Sequence, residues 1–319
     1  MLAYLQLLRL PAVFTAIADI VLGFVLTHRF IYGPQGVADP LMERQIGWNE
    51  PGNFFCLVAA SCSLYLSGMV FNDVFDRTQD AAERPGRPIP SGRVSVRSAA
   101  LLGVCLMLLG TAFAAAVSRI SLQVALLLIV AILAYDAVFK QTWLAPIVMG
   151  SCRFLNVLLG ASVQTTWSDG LLTLPQLGAA AGLGLFIVGV TLFARTEATT
   201  SNRWQLACAQ LVINCGFAVL IFLLVTCQTN SPIQVPLAML LVVAFTINRR
   251  ATAALRDPSP VVVQTGVKVM LLSLVIMDST LVFWWLNAPD GAPYGALHGL
   301  ATAFLVLPAM FLGRLIPMT

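Results

Sequence analysis

Apolar stretches long enough to cross a bilayer recur ten times along this 319-residue chain, and they constrain its fold more than any other feature. A membrane-spanning helix needs about 20 consecutive apolar residues. Only 10% of the residues are charged, against about 25% in an ordinary soluble domain, which excludes a water-soluble fold and a nucleic-acid-binding domain. The stretches are residues 10–28, 53–74, 97–117, 120–139, 143–163, 176–194, 204–227, 233–248, 261–286 and 295–315.

This pattern predicts an all-α, polytopic integral membrane protein whose partner is the lipid bilayer. Residues 1–319 are expected to form a single transmembrane domain, since no soluble domain or long linker interrupts the apolar stretches. The eighth stretch is short, and the tenth follows the ninth after only a turn at Pro289–Pro293. The sequence therefore predicts nine to ten transmembrane helices, with residues 295–315 as the possible extra helix.

The basic residues predict how the helices are oriented. Cytoplasmic loops of membrane proteins carry an excess of lysine and arginine. With ten helices, Arg29, Arg44 and Arg119 are the only basic residues in odd-numbered loops. The termini and even-numbered loops hold Arg9, Arg77, Arg84, Arg87, Arg93, Arg97, Lys140, Arg195, Arg203, Arg249, Arg250, Arg256 and Arg314. This asymmetry predicts that both termini and the loop at residues 72–97 are cytoplasmic, and we expect the membrane to be a bacterial inner membrane.

The second stretch ends in an acidic motif, Asn72-Asp73-Val74-Phe75-Asp76-Arg77-Thr78-Gln79-Asp80. If the helix continues, Asn72, Asp76 and Asp80 lie on one face, because residues four apart stack along a helix. Mg²⁺ prefers such oxygen ligands and commonly bridges to the phosphates of a substrate. The alternative is an ordinary charged loop, but topology requires only its basic residues and leaves the stacked acids unexplained.

The loop continues with arginines that can hold phosphate oxygens in bidentate fashion. They are Arg84, Arg87 and Arg93, the last at the end of Arg-Pro-Ile-Pro-Ser-Gly-Arg. The motif and this tail together resemble the first Asp-rich motif of the UbiA superfamily of intramembrane prenyltransferases. The resemblance extends over most of the chain, including Arg9-Leu10-Pro11 and the segment from Tyr135 to Lys140. Residues 153–162 resemble the EboC-like branch of that superfamily in particular.

The resemblance implies specific roles at the motif. Asn72, Asp76 and Asp80 would coordinate Mg²⁺ on a prenyl diphosphate, and Asp73 would support them. Asp76, Asp80 and Lys140 are the expected catalytic residues. The expected substrate-binding residues are Arg77, Arg84, Arg87, Arg93, Arg153, Asn156, Arg195 and Glu197.

One segment departs from the pattern of the superfamily, which places a second Asp-rich motif at the end of the sixth helix. The corresponding residues 191–200 contain a single carboxylate, Glu197, and Arg195 stands where an acid is expected. Arginine can screen phosphate charge, but it cannot gather several oxygen ligands around one point as a cation can. Half of the expected metal-ligand set is therefore missing.

Ionisable residues within the predicted helices are candidates for function, because a charge in the bilayer is costly unless it is paired. Arg153 and Asn156 are three residues apart and can share a helix face. Asp19 or Asp278 could supply the counter-charge that Arg153 requires. Asp136 and Lys140 are four residues apart and could form a salt bridge, although Lys140 also matches a diphosphate contact in the resembled family.

Two functions follow from these features. The first is Mg²⁺-dependent transfer of a prenyl group from an isoprenoid diphosphate to an apolar or aromatic acceptor. The second, suggested by the incomplete second motif, is a non-catalytic or divergent protein that binds or translocates a metabolite precursor across the membrane.

Overall fold

The computed structural model describes residues 2–27, 51–163, 171–227, 232–287 and 294–315, and within these ranges the chain is helical and contains no strand. A 3-10 turn, Leu10–Ala12, and a π-helical turn, Tyr135–Phe139, complete the helical elements. The helices are α1 (Leu2–Leu8), α2 (Val13–Thr27), α3 (Pro51–Phe75), α4 (Arg77–Glu83), α5 (Val96–Val117), α6 (Arg119–Ala134), α7 (Ala145–Gly160), α8 (Leu174–Ala194), α9 (Arg203–Thr226), α10 (Gln234–Arg256), α11 (Pro260–Leu286), α12 (Tyr294–Ala303) and α13 (Val306–Leu315).

The membrane character predicted from the sequence is confirmed. In the described ranges, nine helical segments are long and apolar enough to span a bilayer, and α7, with 16 residues, is a shorter apolar helix. Each of the ten predicted stretches coincides with one of these segments. Arg29, Arg44 and the predicted turn Pro289–Pro293 lie outside the described residues, as does the side chain of Arg314.

The predicted extra segment, residues 295–315, is helical but is divided between α12 and α13. Pro308 explains the division, because a proline ring clashes with the carbonyl four residues earlier and lacks an N–H. That carbonyl belongs to Phe304, which lies in the break between the two helices. Helix α12 packs along α11, and α13 contacts the turn at Leu10–Ala12.

Close helix packing in the bundle depends on small residues, as is typical of membrane proteins. A Cβ atom added to Gly182 of α8 would lie 2.4 Å from Leu220 Cδ2 of α9. One added to Gly23 of α2 would lie 2.2 Å from the Val157 carbonyl oxygen of α7. Both distances are far below van der Waals contact, so these glycines fix how near the helices approach.

The outer helices present apolar side chains outward. Leu101 and Leu108 of α5, Leu211 of α9 and Phe245 of α10 are each more than three-fifths exposed. Such a surface is suited to lipid and not to water. The polar and ionisable side chains buried in the bundle belong mainly to α2, α3, α7 and α11, and these helices enclose the site described next.

Candidate active site

A cavity of about 380 Å³ lies between α2, α3, α6, α7, α8 and α11. One end, called here the motif end, is lined by Asn72, Asp136 and Glu197. The other, called the inner end, lies halfway along the helices and is lined by Asp19, Ser61, Tyr65, Arg153 and Asn156. The walls between them are mostly apolar and include Gly68, Met69, Leu128, Ile132, Met149, Ile187 and Val190.

At the motif end, Asn72 and Asp136 are joined directly. The side-chain amide of Asn72 donates a 3.0 Å hydrogen bond to Asp136 Oδ1. Glu197 lies on the α8 side of the same end, where burial raises the pKa of its carboxyl group, while Arg84 and Lys268 oppose that shift. Three oxygen-bearing side chains from three different elements therefore line the end of the cavity where the acidic motif was expected to act.

The helical spacing of the motif is maintained although α3 ends at Phe75. The Asp76 N–H donates to the Asn72 carbonyl, and the Asp80 N–H donates to the Asp76 carbonyl. The backbone thus continues in helical register, as the sequence predicted. The side chains of Asn72, Asp76 and Asp80 nevertheless have different partners.

Asp76 faces Lys140, and the two form an ion pair. The π-helical turn at Tyr135–Phe139 brings Lys140 there, because its N–H donates to the carbonyl five residues earlier, that of Tyr135. The extra residue in the turn rotates Lys140 away from the position it would hold in an α-helix. Lys140 therefore pairs with Asp76, and Asp136 accepts its hydrogen bond from Asn72, so the i,i+4 salt bridge considered for Asp136 and Lys140 does not form.

Asp73 and Asp80 face away from the cavity and into a buried ion-pair network. Arg87 Nη1 lies 2.6 Å from Asp80 Oδ2 and 3.4 Å from Asp73 Oδ1. Arg9 Nη2 lies 2.6 Å from the same Asp73 oxygen. Because buried charges require such partners, this network fixes the loop after α3 against the start of the chain.

The other predicted arginines occupy the surface around the motif end. Arg77 donates to the Val74 carbonyl, and Arg93 donates to Gln6 and to the Gly86 carbonyl. Arg84 is exposed and interacts electrostatically with Glu197, and Arg195 is exposed at the end of α8. Of these four, Arg84 interacts with a cavity-lining side chain, Glu197, and Arg195 follows the cavity-lining Ala194.

At the inner end, the predicted pairing of Arg153 with an acid is confirmed. Arg153 Nη1 lies 2.5 Å from Asp19 Oδ2 and donates to the Thr15 carbonyl at 3.0 Å. Asn156 Nδ2 donates to the same Asp19 oxygen at 2.7 Å, and Asn156 Oδ1 accepts from Ser61. Arg153 Nη2 also donates to Thr15 Oγ1, so five side chains from α2, α3 and α7 form one hydrogen-bonded cluster inside the bundle.

Some residues of the site were not assigned a site role from the motif. Arg9 was noted only as part of the first helix, yet it is an ion-pair partner of Asp73. Lys268, within the ninth predicted apolar stretch, interacts with Glu197 from α11. Its position as a single lysine in an apolar stretch was the available signal, because such a charge requires a partner.

The donor set at the motif end fits a hard cation. The charged side chains that line the described cavity are Asp19, Asp136 and Glu197 against one basic residue, Arg153. Amide and carboxylate oxygens are the ligands that Mg²⁺ prefers, and it retains several waters where the protein supplies few of them. The described residues contain no cluster of three or more His, Cys, Asp or Glu placed to hold a metal on their own, so a substrate and water would complete the shell.

The sequence profile of the UbiA prenyltransferase family matches residues 37–252. The chain belongs to this family. Its membership confirms the superfamily that the motif resembled. As a member of this family, the chain is an integral membrane protein with the UbiA fold.

Several curated archaeal proteins named digeranylgeranylglyceryl phosphate synthase are similar to the chain. The protein of Saccharolobus solfataricus is 29% identical over 140 residues, 44% of either chain. That of Natronomonas pharaonis is 34% identical over 157 residues, 49% of this chain and 50% of the relative. The chain therefore matches about half the length, or less, of these relatives.

Solved structures share the fold over nearly the whole chain. A digeranylgeranylglyceryl phosphate synthase structure gives a TM-score of 0.62 at 15% identity, covering 90% of this chain and 98% of that one. A UbiA homologue from Archaeoglobus fulgidus, bound to DMAPP and Mg²⁺, gives 0.61 at 14% identity, covering 97% and 98%. The same protein has also been solved with GPP and Mg²⁺. At such identities the likeness establishes the fold alone.

Proposed function

We propose that this protein is an intramembrane prenyltransferase that binds an isoprenoid diphosphate together with Mg²⁺ at the motif end of its cavity. The observation that carries the proposal is the cavity itself, which has cation-binding oxygens at one end and apolar walls beyond them. This arrangement suits a substrate with an anionic head and an isoprenoid tail. Relatives named as synthases of a prenylated lipid, and a fold neighbour bound to DMAPP and Mg²⁺, support it.

The charges of the cavity explain why a metal would be needed. Acids outnumber basic side chains among the described residues that line it, so a diphosphate alone would be repelled. Asn72, Asp76, Asp136 and Glu197 would hold Mg²⁺, since their oxygens lie at or beside the cavity. Bound there, Mg²⁺ would neutralise the diphosphate oxygens and make the diphosphate a better leaving group.

Asp73 and Asp80 have a supporting role in this proposal. Their carboxylates are committed to Arg9 and Arg87, and direct metal binding would require these buried ion pairs to open. Lys140 takes the role of an electrostatic partner, because it is ion-paired with Asp76 and partly exposed. When Asp76 turns to a metal, the Lys140 ammonium is free to contact the diphosphate.

The basic residues around the motif end complete the diphosphate site in this proposal. Arg84, Arg195 and Lys268 lie near Glu197 or at the end of α8, where other family members would carry a second acidic motif. They would screen the phosphate charge that a second metal would otherwise screen. Arg77 and Arg93 would act from the surface, by raising the local concentration of the anion.

The apolar walls give the reaction its environment. As the carbon–oxygen bond to the diphosphate breaks, positive charge develops on the allylic carbon. The cavity between the motif end and the inner end holds few groups that could carry water to that carbon. A lipophilic acceptor entering from the bilayer would then capture the carbon in preference to water.

Binding of geranyl diphosphate to the purified protein tests this proposal, measured by calorimetry with and without Mg²⁺. We expect Mg²⁺-dependent binding in the wild type and a loss of at least about tenfold in affinity on Asp76→Asn, since one ligand of the metal is removed. Arg97→Gln is the matched control, because Arg97 is exposed on α5 and away from the cavity lining. Binding that is independent of both Mg²⁺ and Asp76 would refute the proposed site.

Further features of the proposal concern the whole chain. Residues 1–319 form one UbiA-like transmembrane domain, and the motif end with both termini faces the cytoplasm of a bacterial inner membrane. The distribution of basic residues between alternate loops supports this orientation. Single cysteines introduced at Gln79 and Ser118 should be compared for access of a labelling reagent from each side of the membrane. The native Cys105 and Cys208 are exposed but lie within the apolar helices α5 and α9, so labelling them would not report the orientation.

The second candidate function is binding or translocation of a metabolite precursor by an EboC-like protein that lacks transferase activity. The single carboxylate in residues 191–200 favours it, as does the likeness of residues 153–162 to that branch. Reconstituted vesicles distinguish the two. Prenylated product formed in the presence of Mg²⁺ supports transfer, whereas uptake of a phosphorylated isoprenoid that survives Asp76→Asn, without product, supports translocation.

A further inference from the structure

Two hydrogen-bond donors of Arg153 remain open at the inner end of the cavity. Nη1 donates to the Thr15 carbonyl and to Asp19, and Nη2 donates once, to Thr15 Oγ1 at 3.1 Å. A guanidinium has five N–H donors, so the Nε hydrogen and the second Nη2 hydrogen meet no acceptor among the described residues. These two donors lie on the same edge of the guanidinium, and Arg153 lines the cavity.

Tyr65 provides a third open polar group nearby. Its side chain lines the cavity from α3, interacts electrostatically with Arg153 and Asp19, and forms no hydrogen bond with a described residue. Tyrosine hydroxyls that are buried usually have a partner. Arg153, with two open donors, and Tyr65, with its hydroxyl, therefore line the same end of the cavity and interact electrostatically.

The charge of the cluster determines which kind of group can bind there. Asp278 of α11 is fully buried and interacts with both Asp19 and Arg153. Two adjacent buried carboxyl groups tend to share one proton. With one shared proton, Asp19 and Asp278 carry one negative charge, which balances the charge of Arg153 and leaves the cluster neutral.

We propose that the inner end of the cavity is the acceptor subsite, and that Arg153 and Tyr65 bind an uncharged carbonyl or hydroxyl oxygen of the lipophilic acceptor. A neutral cluster offers hydrogen bonds without attracting an anion, so carboxylate and phosphate groups are disfavoured. This inference rests on the proposed prenyl transfer and identifies the class of its second substrate.

The length of the cavity fits this arrangement. Tyr65 and Asn72 are seven residues apart on α3, which corresponds to about 10 Å along a helix. An acceptor held by its oxygen at Tyr65 and Arg153 would extend one ring or a short chain towards the motif end. Its other edge would then lie next to the carbon released from the diphosphate.

A matched pair of small probes tests the subsite: acetophenone, which presents a neutral carbonyl, and benzoate, which presents a carboxylate on the same ring. Binding of each is measured by calorimetry to the full-length protein in detergent. We expect the ketone to bind at least about tenfold more tightly. Equal affinity, preference for the benzoate, or binding of neither probe by folded protein would overturn the proposal.

Variants test which residues are responsible. Tyr65→Phe should weaken ketone binding about 3- to 10-fold, the effect of one hydrogen bond, and Tyr4→Phe on α1 is the matched control. Asp19→Asn removes a negative charge from the cluster and should narrow the preference for the ketone by about tenfold. An unchanged preference in folded Asp19→Asn, or no effect of Tyr65→Phe, would contradict the proposal.

Failure of the proposed function can be distinguished from failure of the acceptor subsite. Mg²⁺-dependent binding of geranyl diphosphate is measured on the same preparation. Ketone selectivity without diphosphate binding would refute prenyl transfer and leave a neutral-ligand site. Diphosphate binding without ketone selectivity would refute the acceptor subsite alone.

Discussion

The two ends of the cavity use the same kinds of side chain in opposite ways. At the inner end, Arg153 and Asn156 both donate short hydrogen bonds to Asp19 Oδ2. At the motif end, Asn72 and Asp136 share one hydrogen bond, and Glu197 faces exposed cations. Burial of charge alone therefore does not identify a metal site. What distinguishes the motif end is that carboxylate oxygens lining the cavity there are held by no buried cation among the described residues.

The largest expected effect is at the inner end, where Arg153→Met should lower the free energy of unfolding by about 3–5 kcal/mol, because a buried ion pair loses one partner. Unfolding in detergent, followed by far-UV circular dichroism, measures it. The double variant Arg153→Met/Asp19→Leu should recover much of this loss, since an apolar replacement of both partners is often tolerated. A stable Arg153→Met single variant would show that the inner cluster is not the stabilising region.

A smaller loss of stability is expected for Asp80→Asn, about 1.5–3 kcal/mol, because a hydrogen bond to a charged group is weakened beside Arg87. Asp80 belongs to the acidic motif but faces the ion-pair network and not the cavity. Its geranyl diphosphate affinity, corrected for the folded fraction, should change less than threefold. A large loss of affinity in folded protein would place Asp80 among the metal ligands and contradict its assignment to the ion-pair network.

The variant Asn72→Ala tests the motif end of the cavity. We expect little change in thermal stability and a loss of about 10- to 100-fold in Mg²⁺-dependent diphosphate affinity, the range seen when support of a metal ligand is removed. The Mg²⁺ dependence of binding should also weaken. Unaltered affinity, measured by the same calorimetric titration, would show that the amide serves only to hold Asp136.

The smallest effect concerns pH. Burial raises the pKa of Glu197, so its ionisation weakens the folded state as the pH rises through that pKa. Glu197→Gln removes this loss, and its melting temperature should exceed that of the wild type by more at pH 7.5 than at pH 4.0. Glu83→Gln on exposed α4 is the control. The same difference in melting temperature at both pH values would mean that burial does not raise the pKa of Glu197.

Sequence reasoning predicted the parts of the fold that depend on local patterns. The apolar stretches predicted the ten apolar helical segments but not the short helices α1 and α4 or the break between α12 and α13. The four-residue spacing predicted the helical register from Asn72 to Asp80. The pairing of Arg153 with an acid, either Asp19 or Asp278, was also predicted, because a charge within a bilayer requires a partner. These inferences used residue spacing or the energetic cost of an unpaired charge in the bilayer. Spacing and this cost can both be judged without knowledge of distant contacts.

The partners of the motif could not be predicted in the same way. Lys140 reaches Asp76 only because of the π-helical turn, and its register there depends on packing against α3 and α7. Arg87 is buried between Asp73 and Asp80, although its sequence context resembles that of the exposed Arg84 and Arg93. Such choices are decided by long-range packing, which local spacing does not encode.

The most direct test of the central claim is the position of the metal. A crystal structure of the protein with Mn²⁺ and a non-hydrolysable geranyl thiolodiphosphate would locate the metal by its anomalous scattering. We expect the metal at the motif end, bound by oxygens of Asn72, Asp76 and either Asp136 or Glu197, with the Asp80–Arg87 ion pair intact. A metal bound at the inner end, or one held by Asp80 with that pair broken, would contradict the assignment of the two regions.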